Sequence, residues 1–242
     1  MPLQQPQSDG ALPAALPGSP ETPAAPAPAV TPAAPAVRKR RTQAERSAAT
    51  RDRLVTAAID ALNRVGYPAA STVLVADLAR VSRGAMLHQF PNKAALMAAV
   101  VEASYAADIA AYRRAVAGIK DPVAQMLAVA EAAWVQFRAA GGIAQTEIRM
   151  ATRSDPELAA AVLPIFAAIS ENSKVAQAAR FAAAGIADRA VSDAVLTHNV
   201  AMLRGLALEF VLGTPEAALR PSIELMKRSL LMALSPGGKA ST

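Results

Sequence analysis

The chain has 242 residues, 53% of them hydrophobic and only 4% aromatic, and a formal net charge of +6. It has no cysteine, which excludes disulfides and thiolate metal sites, and we expect neither a metal nor a cofactor. Much of the apolar content is alanine, which favours packed helices over sheets. No strand-like alternation appears, so the sequence predicts an all-α protein.

The first 41 residues differ in composition from the rest. Residues 1–36 are rich in proline and alanine and cannot bury enough apolar surface to become ordered. The basic cluster 38–41 joins them to the rest of the chain. We predict a disordered tail with a basic arm over 1–41. The arm has alternative interpretations, as a segment that follows the DNA minor groove or backbone, or as a solubilising linker.

Three helices are predicted next. Thr42 with Glu45 fits a capping box that begins a helix over 43–65, and Gly66 ends it. Its apolar residues recur at helical spacing: Leu54, Ala58, Ala61, Leu62 and Val65. Ser71 can cap a helix of about two turns that runs to Ala79. Ser82 can cap another over 83–90, which Pro91 ends.

Two short helices joined by a tight turn are the geometry of a helix-turn-helix. In the second of them Met86 and Phe90 share one face, which should pack inward. Arg83, Leu87 and His88 then point elsewhere and suit insertion into a major groove. Residues 37–93 also hold eleven basic and only four acidic side chains, as a segment that binds phosphates would. An ordinary helical hairpin with a solvated charged face is the alternative interpretation.

The helix-turn-helix segment contains a longer motif, in the stretch Val75-Ala76-Asp77-Leu78-Ala79-Arg80-Val81-Ser82-Arg83-Gly84-Ala85-Met86-Leu87-His88-Gln89-Phe90-Pro91-Asn92-Lys93-Ala94-Ala95-Leu96. Several of its positions fit one known family pattern in a single register: Val75-Ala76, Ala79, Val81-Ser82, Gly84, Phe90, Lys93 and Leu96. On these positions, the residues from about 44 to 100 resemble the TetR family of bacterial regulators. The resemblance implies that helix 83–89 docks in the major groove and that Lys93 contacts a phosphate at the start of the fourth helix, where the helix dipole favours an anion.

The chain departs from the family pattern at two positions. Leu87 stands where an aromatic residue, often tyrosine, is usual, so it should meet a thymine methyl or a sugar rather than a phosphate. Arg80 stands where glycine is usual, and a left-handed conformation there would cost about 1–2 kcal/mol. We predict a helix-turn-helix domain over 42–96. Its DNA-contacting residues are predicted to be Ser71, Thr72, Ser82, Arg83, Ala85, Leu87, His88, Gln89 and Lys93.

Residues 97–235 are predicted to form a helical bundle that binds an effector and dimerises. Helix four should run from 93 to about 117, and further helices are expected near 122–140, 143–153, 156–184, 188–212 and 215–235. Gly141-Gly142 is among the breaks between them. The last two helices are candidates for a four-helix interface in a homodimer through Val195, Leu203, Leu206, Phe210, Ile223, Met226, Leu230 and Leu234.

Large apolar residues in this alanine-rich bundle are candidates for an effector pocket. They are Met126, Trp134, Phe137, Met150, Phe166, Ile169 and Met202, and the candidates for polar anchors of the same pocket are Arg149, Gln145, His198 or Asn199. Plain core packing is the alternative for each of them. The expected effector is small and apolar or amphipathic, and its binding should move helix four and so change the separation of two DNA-reading heads.

Other function classes fit less well. No catalytic motif can be assembled from two histidines without a Gly-rich phosphate loop, His-Glu-x-x-His or a nucleophile elbow, so we expect no enzyme. A helical adaptor with nonspecific basic contacts to DNA is the better alternative. The longest uncharged apolar stretch, Leu158 to Ser170, is too short for a membrane span, and we expect no membrane contact. The predicted protein is a ligand-responsive repressor that binds double-stranded operator DNA in the cytoplasm, associated with the nucleoid.

Overall fold

The computed structural model describes residues 42–234, and these residues are all-α, as predicted. Their helices are α1 (Gln43–Ala69), α2 (Thr72–Leu78), α3 (Arg83–Gln89), α4 (Lys93–Val116), α5 (Pro122–Phe137), α6 (Ala140–Ala151), α7 (Pro156–Ala183), α8 (Arg189–Val211) and α9 (Glu216–Ala233). The predicted tail with its basic arm, 1–41, and the last residue of the predicted second domain, 235, lie outside the described residues.

Helix α1 begins at the predicted capping box. The Thr42 hydroxyl accepts a hydrogen bond from the Glu45 N–H at 3.1 Å, and the Thr42 N–H donates to the Glu45 carboxylate at 2.8 Å. Gly66 breaks the regular helix with φ +70°, and the residues up to Ala69 form one more turn beyond this kink. The apolar residues of the predicted stripe are buried except Val65, which is 46% exposed.

The turn between α2 and α3 contains a left-handed arginine. Arg80 has φ +53°, so the residue that replaces the usual glycine does adopt the strained conformation. The Val81 N–H donates to the Ala76 carbonyl at 2.9 Å, and the Arg80 N–H donates to the Asp77 carbonyl at 3.0 Å. These bonds satisfy carbonyls at the end of α2 and help to hold the strained turn.

The helices of the second half follow the predicted order, with one difference at the start of α6. Gly141-Gly142 lies inside the first turn of α6 and does not separate two helices. A Cβ atom on Gly142 would lie 2.3 Å from the Gln136 carbonyl oxygen and 2.5 Å from that of Phe137. Glycine therefore permits the close approach of α6 to the end of α5.

Three clusters of buried side chains hold the described residues together. The first joins α1–α4 to α6 and α7, through residues such as Leu54, Phe90, Leu96 and Ile148. The second lies between α5, α8 and α9, and the third between α5, α7 and α9. The helix-turn-helix segment and the bundle share the first cluster. A displacement of α6 or α7 therefore changes the packing of α1–α4.

The predicted dimer residues pack within the chain. Leu203, Ile223, Met226 and Leu230 are buried in the second and third clusters, and Val195, Leu206, Phe210 and Leu234 pack against those clusters. These residues form the inward face of α8 and α9. Helical spacing predicts which residues share an apolar stripe, but it does not predict whether that stripe packs within the chain or against a partner. The apolar side chains that these helices expose are others, including Leu208, Val211, Leu225 and Met232.

Three of the helices in 42–234 are long and apolar enough, by length and composition alone, to cross a membrane: α4, α7 and α8. This differs from the expectation of no such segment, which considered only uninterrupted uncharged stretches. In the structure, 39% of the apolar stretch of α4 is buried, against 17% in α7 and 11% in α8. The buried part of α4 includes Leu96, Met97, Val100 and Val101, which lie in the first cluster.

Candidate functional site

Helix α3 is a short capped rod anchored on one side. Met86 and Phe90 are each 1% exposed and belong to the first cluster, as their spacing predicted. The guanidinium of Arg51 on α1 lies 4.6 Å from the centre of the Phe90 ring and covers it from outside. Because both inward side chains are large and buried, the rotation of α3 about its axis is set by packing.

The opposite side of α3, formed by Arg83, Leu87 and His88, faces solvent. All three side chains are exposed, and Leu87 is 47% exposed although it is apolar. Within residues 42–234, Arg83 and His88 form neither a hydrogen bond nor an ion pair. We call these three residues the outer face of α3. This face presents a cation, an apolar side chain and an imidazole to solvent.

We call the predicted helix-turn-helix domain, 42–96, the head, and its remaining predicted contact residues have local partners. The hydroxyls of Ser71 and Ser82 cap α2 and α3 by accepting from the N–H groups of Leu74 and Ala85, and each keeps its O–H free to donate. Ser71 and Ser82 are exposed, whereas Thr72 and Ala85 are partly buried. The Gln89 amide donates to the Ser47 hydroxyl at 2.8 Å, so Gln89 connects α3 to α1.

Lys93 is held within the chain. Its ammonium donates to the Tyr67 carbonyl at 2.6 Å and lies 3.9 Å from the centre of the Tyr67 ring. Desolvation lowers the pKa of Lys93, and the charge of Asp155 opposes that shift. The ammonium has three donors, so one bond leaves capacity for a phosphate. Asn92 caps α4 by accepting from the Ala95 N–H at 2.8 Å, so the helix start is already partly satisfied.

Tyr67 connects the head to the bundle. Its hydroxyl donates to Asp155 at 2.5 Å, and its backbone N–H donates to the Glu147 carboxylate on α6 at 3.0 Å. Burial, followed by the bond to Asp155, raises the pKa of Tyr67. Sequence reasoning missed this residue, because the partners lie about 80 residues away in the chain and leave no local pattern.

A cavity of about 570 Å³ lies within the bundle, lined by residues of α4 to α9. It contains four of the predicted pocket residues, Met126, Phe137, Phe166 and Ile169. It also contains three of the predicted polar anchors, Gln145, Arg149 and Asn199. The volume lies within the range of small-molecule sites.

The other predicted pocket residues do not line this cavity. Trp134 is fully buried in the second cluster, where it packs edge-on against Phe210 and its indole N–H donates to Glu216 at 3.4 Å. Met150 is 57% exposed, and His198 lies on an exposed part of α8. Met202 packs against the second cluster. Size and apolar character cannot tell a wall residue from a core residue, because that depends on how the helices cross.

The cavity is lined by further polar residues that the sequence did not predict. Its further lining residues include Tyr105, Asp108, Tyr112, Arg113, Lys174, Arg180 and Arg204. Gln145 donates to Asp108 at 3.1 Å, and burial raises the pKa of that carboxyl to about 6. Burial and the neighbouring Asp108 raise the pKa of Tyr112. The sequence shows these residues only as charged positions in alanine-rich helices. That they line one cavity depends on how several helices pack, which their local sequence does not indicate.

Comparison with known proteins adds an independent result. The sequence model described as "Bacterial regulatory proteins, tetR family" matches residues 54–100. The HTH-type transcriptional regulator CymR of Pseudomonas putida is 40% identical over 92 residues, which are 37% of this chain. Those residues are 45% of that relative, so the match spans less than half of its length.

Solved structures share the fold over more of the chain. A transcriptional regulator from Rhodococcus sp. superposes with a TM-score of 0.59 at 22% identity, over 76% of this chain and 93% of that one. The multidrug binding protein EbrR, solved with imidazole, superposes with a TM-score of 0.53 at 22% identity, over 78% of this chain and 97% of its own. At this identity the structures show a common fold for the head and the bundle together.

Proposed function

We propose that the chain is a ligand-responsive transcriptional regulator of the TetR type, from the premise that residues 54–100 match the model of that family of bacterial regulatory proteins. It binds a double-stranded DNA operator as a homodimer in the cytoplasm, at the nucleoid when DNA is bound, and it acts as a repressor. The head is the segment 42–96, and the effector and dimerisation domain follows it. The observation that carries the proposal is the outer face of α3, exposed on a helix whose inner face is buried.

The chemistry of the outer face fits base edges in a major groove. Arg83 can donate two parallel hydrogen bonds to guanine, His88 can exchange a hydrogen bond with a base, and Leu87 can contact a thymine methyl group. Ser71, Ser82 and Lys93 have donors that suit phosphates, which would fix the register of the head on the duplex. Thr72 and Ala85 flank these positions, and Gln89 supports α3 from the side of α1.

Exposed apolar side chains support a homodimer through α8 and α9. Leu208 is 52% exposed and Leu225 is 63% exposed, and Val211 and Met232 are also exposed. Burying such side chains against a second copy would remove apolar area from water, which is the main driving force for association. A dimer also presents two heads, and two half-sites one duplex turn apart, about 34 Å, require two heads.

The path from cavity to DNA follows α4 and α6. Helix α4 begins at Lys93 beside the head and lines the cavity farther on with Tyr105, Asp108 and Tyr112. Helix α6 contributes Arg149 to the cavity, two residues after Glu147, which accepts the Tyr67 N–H. We propose that an effector prefers one arrangement of these helices and thereby changes the separation of the heads.

A mobility-shift titration tests DNA binding. DNA from upstream of the chain's own gene should be retarded selectively over a scrambled duplex, and Arg83→Gln should weaken that binding by about tenfold or more, as loss of a base contact does. Arg189→Gln is the matched control, because it removes the same charge from α8, where Arg189 is paired with Glu171 and Asp193. Equal retardation of both duplexes, or equal loss in both variants, would contradict the proposal and favour a helical adaptor with nonspecific DNA contact.

A further inference from the structure

The cavity is strongly basic. Its lining includes five basic side chains, Arg113, Arg149, Lys174, Arg180 and Arg204, and a single carboxylate, Asp108. The rest of the lining is mainly apolar or neutral. A site for a purely apolar molecule would gain nothing from these charges, because their hydration is lost when such a molecule enters.

Among the described residues, the arginines of the cavity have no carboxylate partner. Elsewhere in residues 42–234, Arg138, Arg189 and Arg220 each lie within 4 Å of a glutamate or aspartate. Over the same residues, the guanidiniums of Arg149 and Arg204 form neither an ion pair nor a hydrogen bond, and that of Arg180 donates only to the Ala176 carbonyl at 3.3 Å. The guanidiniums of the cavity are therefore available to an incoming anion.

This arrangement has a free-energy cost in the unliganded protein. Desolvation, with a further contribution from the charge of Arg204, lowers the pKa of Arg149 to about 10. Desolvation also lowers the pKa of Arg180 and of Arg204. All three remain cationic at neutral pH, so like charges share a partly dry space. A bound anion would relieve both the desolvation and the repulsion.

Aromatic rings lie beside the charges. The Arg149 guanidinium carbon lies over the Phe166 ring, 3.8 Å from its centre, and that of Arg204 lies over the Phe137 ring at 6.0 Å. A guanidinium over the face of a ring can still donate hydrogen bonds from its N–H groups to an acid head. The rings also offer an apolar surface next to the cations, so one molecule can satisfy both.

We propose that the cavity binds an amphipathic organic anion, whose acid head is held by Arg149 and Arg204 and whose apolar body lies against Phe166 and Phe137. The proposal rests on the proposed function only in naming this anion as the effector. Asp108 does not occupy the two arginines, because within residues 42–234 that carboxylate is hydrogen-bonded to Gln145 and forms no ion pair with them.

Two fluorescent dyes that differ by one charge provide the test. Anilinonaphthalene sulfonate carries an acid head, and N-phenylnaphthylamine is the same aromatic body without it. The variant Arg149→Gln with Arg204→Gln should bind the sulfonate about tenfold or more weakly, since a hydrogen bond to a charged group is being lost. Its affinity for the neutral dye should stay within about twofold, which also reports that the cavity still folds.

Controls separate the charge of the cavity from charge in general. Arg189→Gln with Arg64→Gln removes the same net charge outside the cavity and should leave the affinity for both dyes unchanged. Octanoate should displace the sulfonate from the wild-type full chain, and octanol at equal concentration should not. Equal losses for both dyes, no loss for the sulfonate, or equal displacement by the alcohol would each overturn the proposal.

The outcome is independent of the DNA experiment. A full chain that selects the sulfonate through Arg149 and Arg204 but retards no DNA selectively would support the anion site and overturn the regulator. A chain that retards its upstream DNA selectively but shows no charge preference between the dyes would support the regulator and overturn the anion site. Octanoate added to the mobility shift then tells whether an anion of this class changes DNA affinity.

Discussion

The head and the cavity both present arginines, but in opposite settings. Arg83 is exposed on α3, where water solvates its charge and packing on the other side of the helix sets its position. Arg149 is partly buried between helices, beside another arginine, with its pKa lowered by desolvation. A surface charge costs little and can be specified by a short sequence motif. A desolvated charge costs free energy, and the proposed organic anion would offset this cost.

The largest expected change in the free energy of unfolding concerns the two sides of α3. Phe90→Ala should lower the free energy of unfolding by about 3–5 kcal/mol, because it leaves a cavity in the first cluster. Leu87→Ala, on the outer face, should change that free energy by less than about 0.5 kcal/mol. Urea denaturation measures both. A similar loss in the two variants would mean that α3 has no distinct inner and outer sides.

An intermediate effect tests the cost of charge in the cavity. The pKa of Asp108 is raised from 3.8 to about 6 by burial, so the folded state binds a proton more readily than the unfolded state. Stability should therefore fall as pH rises from about 4 to about 6 and stay level above that. Asp108→Asn should raise the free energy of unfolding at pH 7.5 by about 1–2 kcal/mol, since the shift is partly screened by solvent.

The same comparison at low pH is the decisive part of this experiment. At pH 4 the wild-type carboxyl is protonated in the folded state, so the advantage of Asp108→Asn should largely disappear. Asp52→Asn is the control, because Asp52 is exposed on α1 and should give no such pH-dependent gap. A gap for Asp108→Asn that is the same at both pH values would show that volume or hydrogen bonding, not charge, is responsible.

The smallest effect concerns the strained turn of the head. Arg80→Gly should raise the free energy of unfolding by about 0.5–1 kcal/mol, because glycine adopts the left-handed conformation freely but loses more entropy on folding. The midpoint of thermal unfolding should rise by about 1–3 °C. Arg64→Gly, in the regular part of α1, should lower stability by about 1 kcal/mol instead. Calorimetry measures both variants. If both change the free energy of unfolding with the same sign, the effect of Arg80→Gly is not due to relief of backbone strain.

Much of the head could be predicted from its sequence. The caps at Thr42, Ser71 and Ser82 involve partners three residues away, so the pattern of the chain contains the whole interaction. The inward position of Met86 and Phe90 follows from helical spacing once the cap is known. Gln89 and Lys93 were less predictable, because each hydrogen-bonds to a residue at least 26 positions earlier in the chain.

The lining of the cavity was predicted only in part, and the differences have a common cause. Phe166 and Trp134 are both large, apolar and buried in core clusters, yet of the two only Phe166 also lines the cavity. Each helix residue is rotated by about 100° from the next, so a small change in helix crossing moves a side chain from wall to core. The same reason explains why the predicted dimer residues of α8 and α9 proved to face the interior.

The order of the helices, their caps and the two-sided character of α3 were determined by the sequence itself, because these features depend on interactions within a few residues. The shared core of head and bundle, the link from Tyr67 to Glu147 and Asp155, and the convergence of unpaired arginines were decided only by the tertiary structure. These features join distant segments, and only packing brings such segments together.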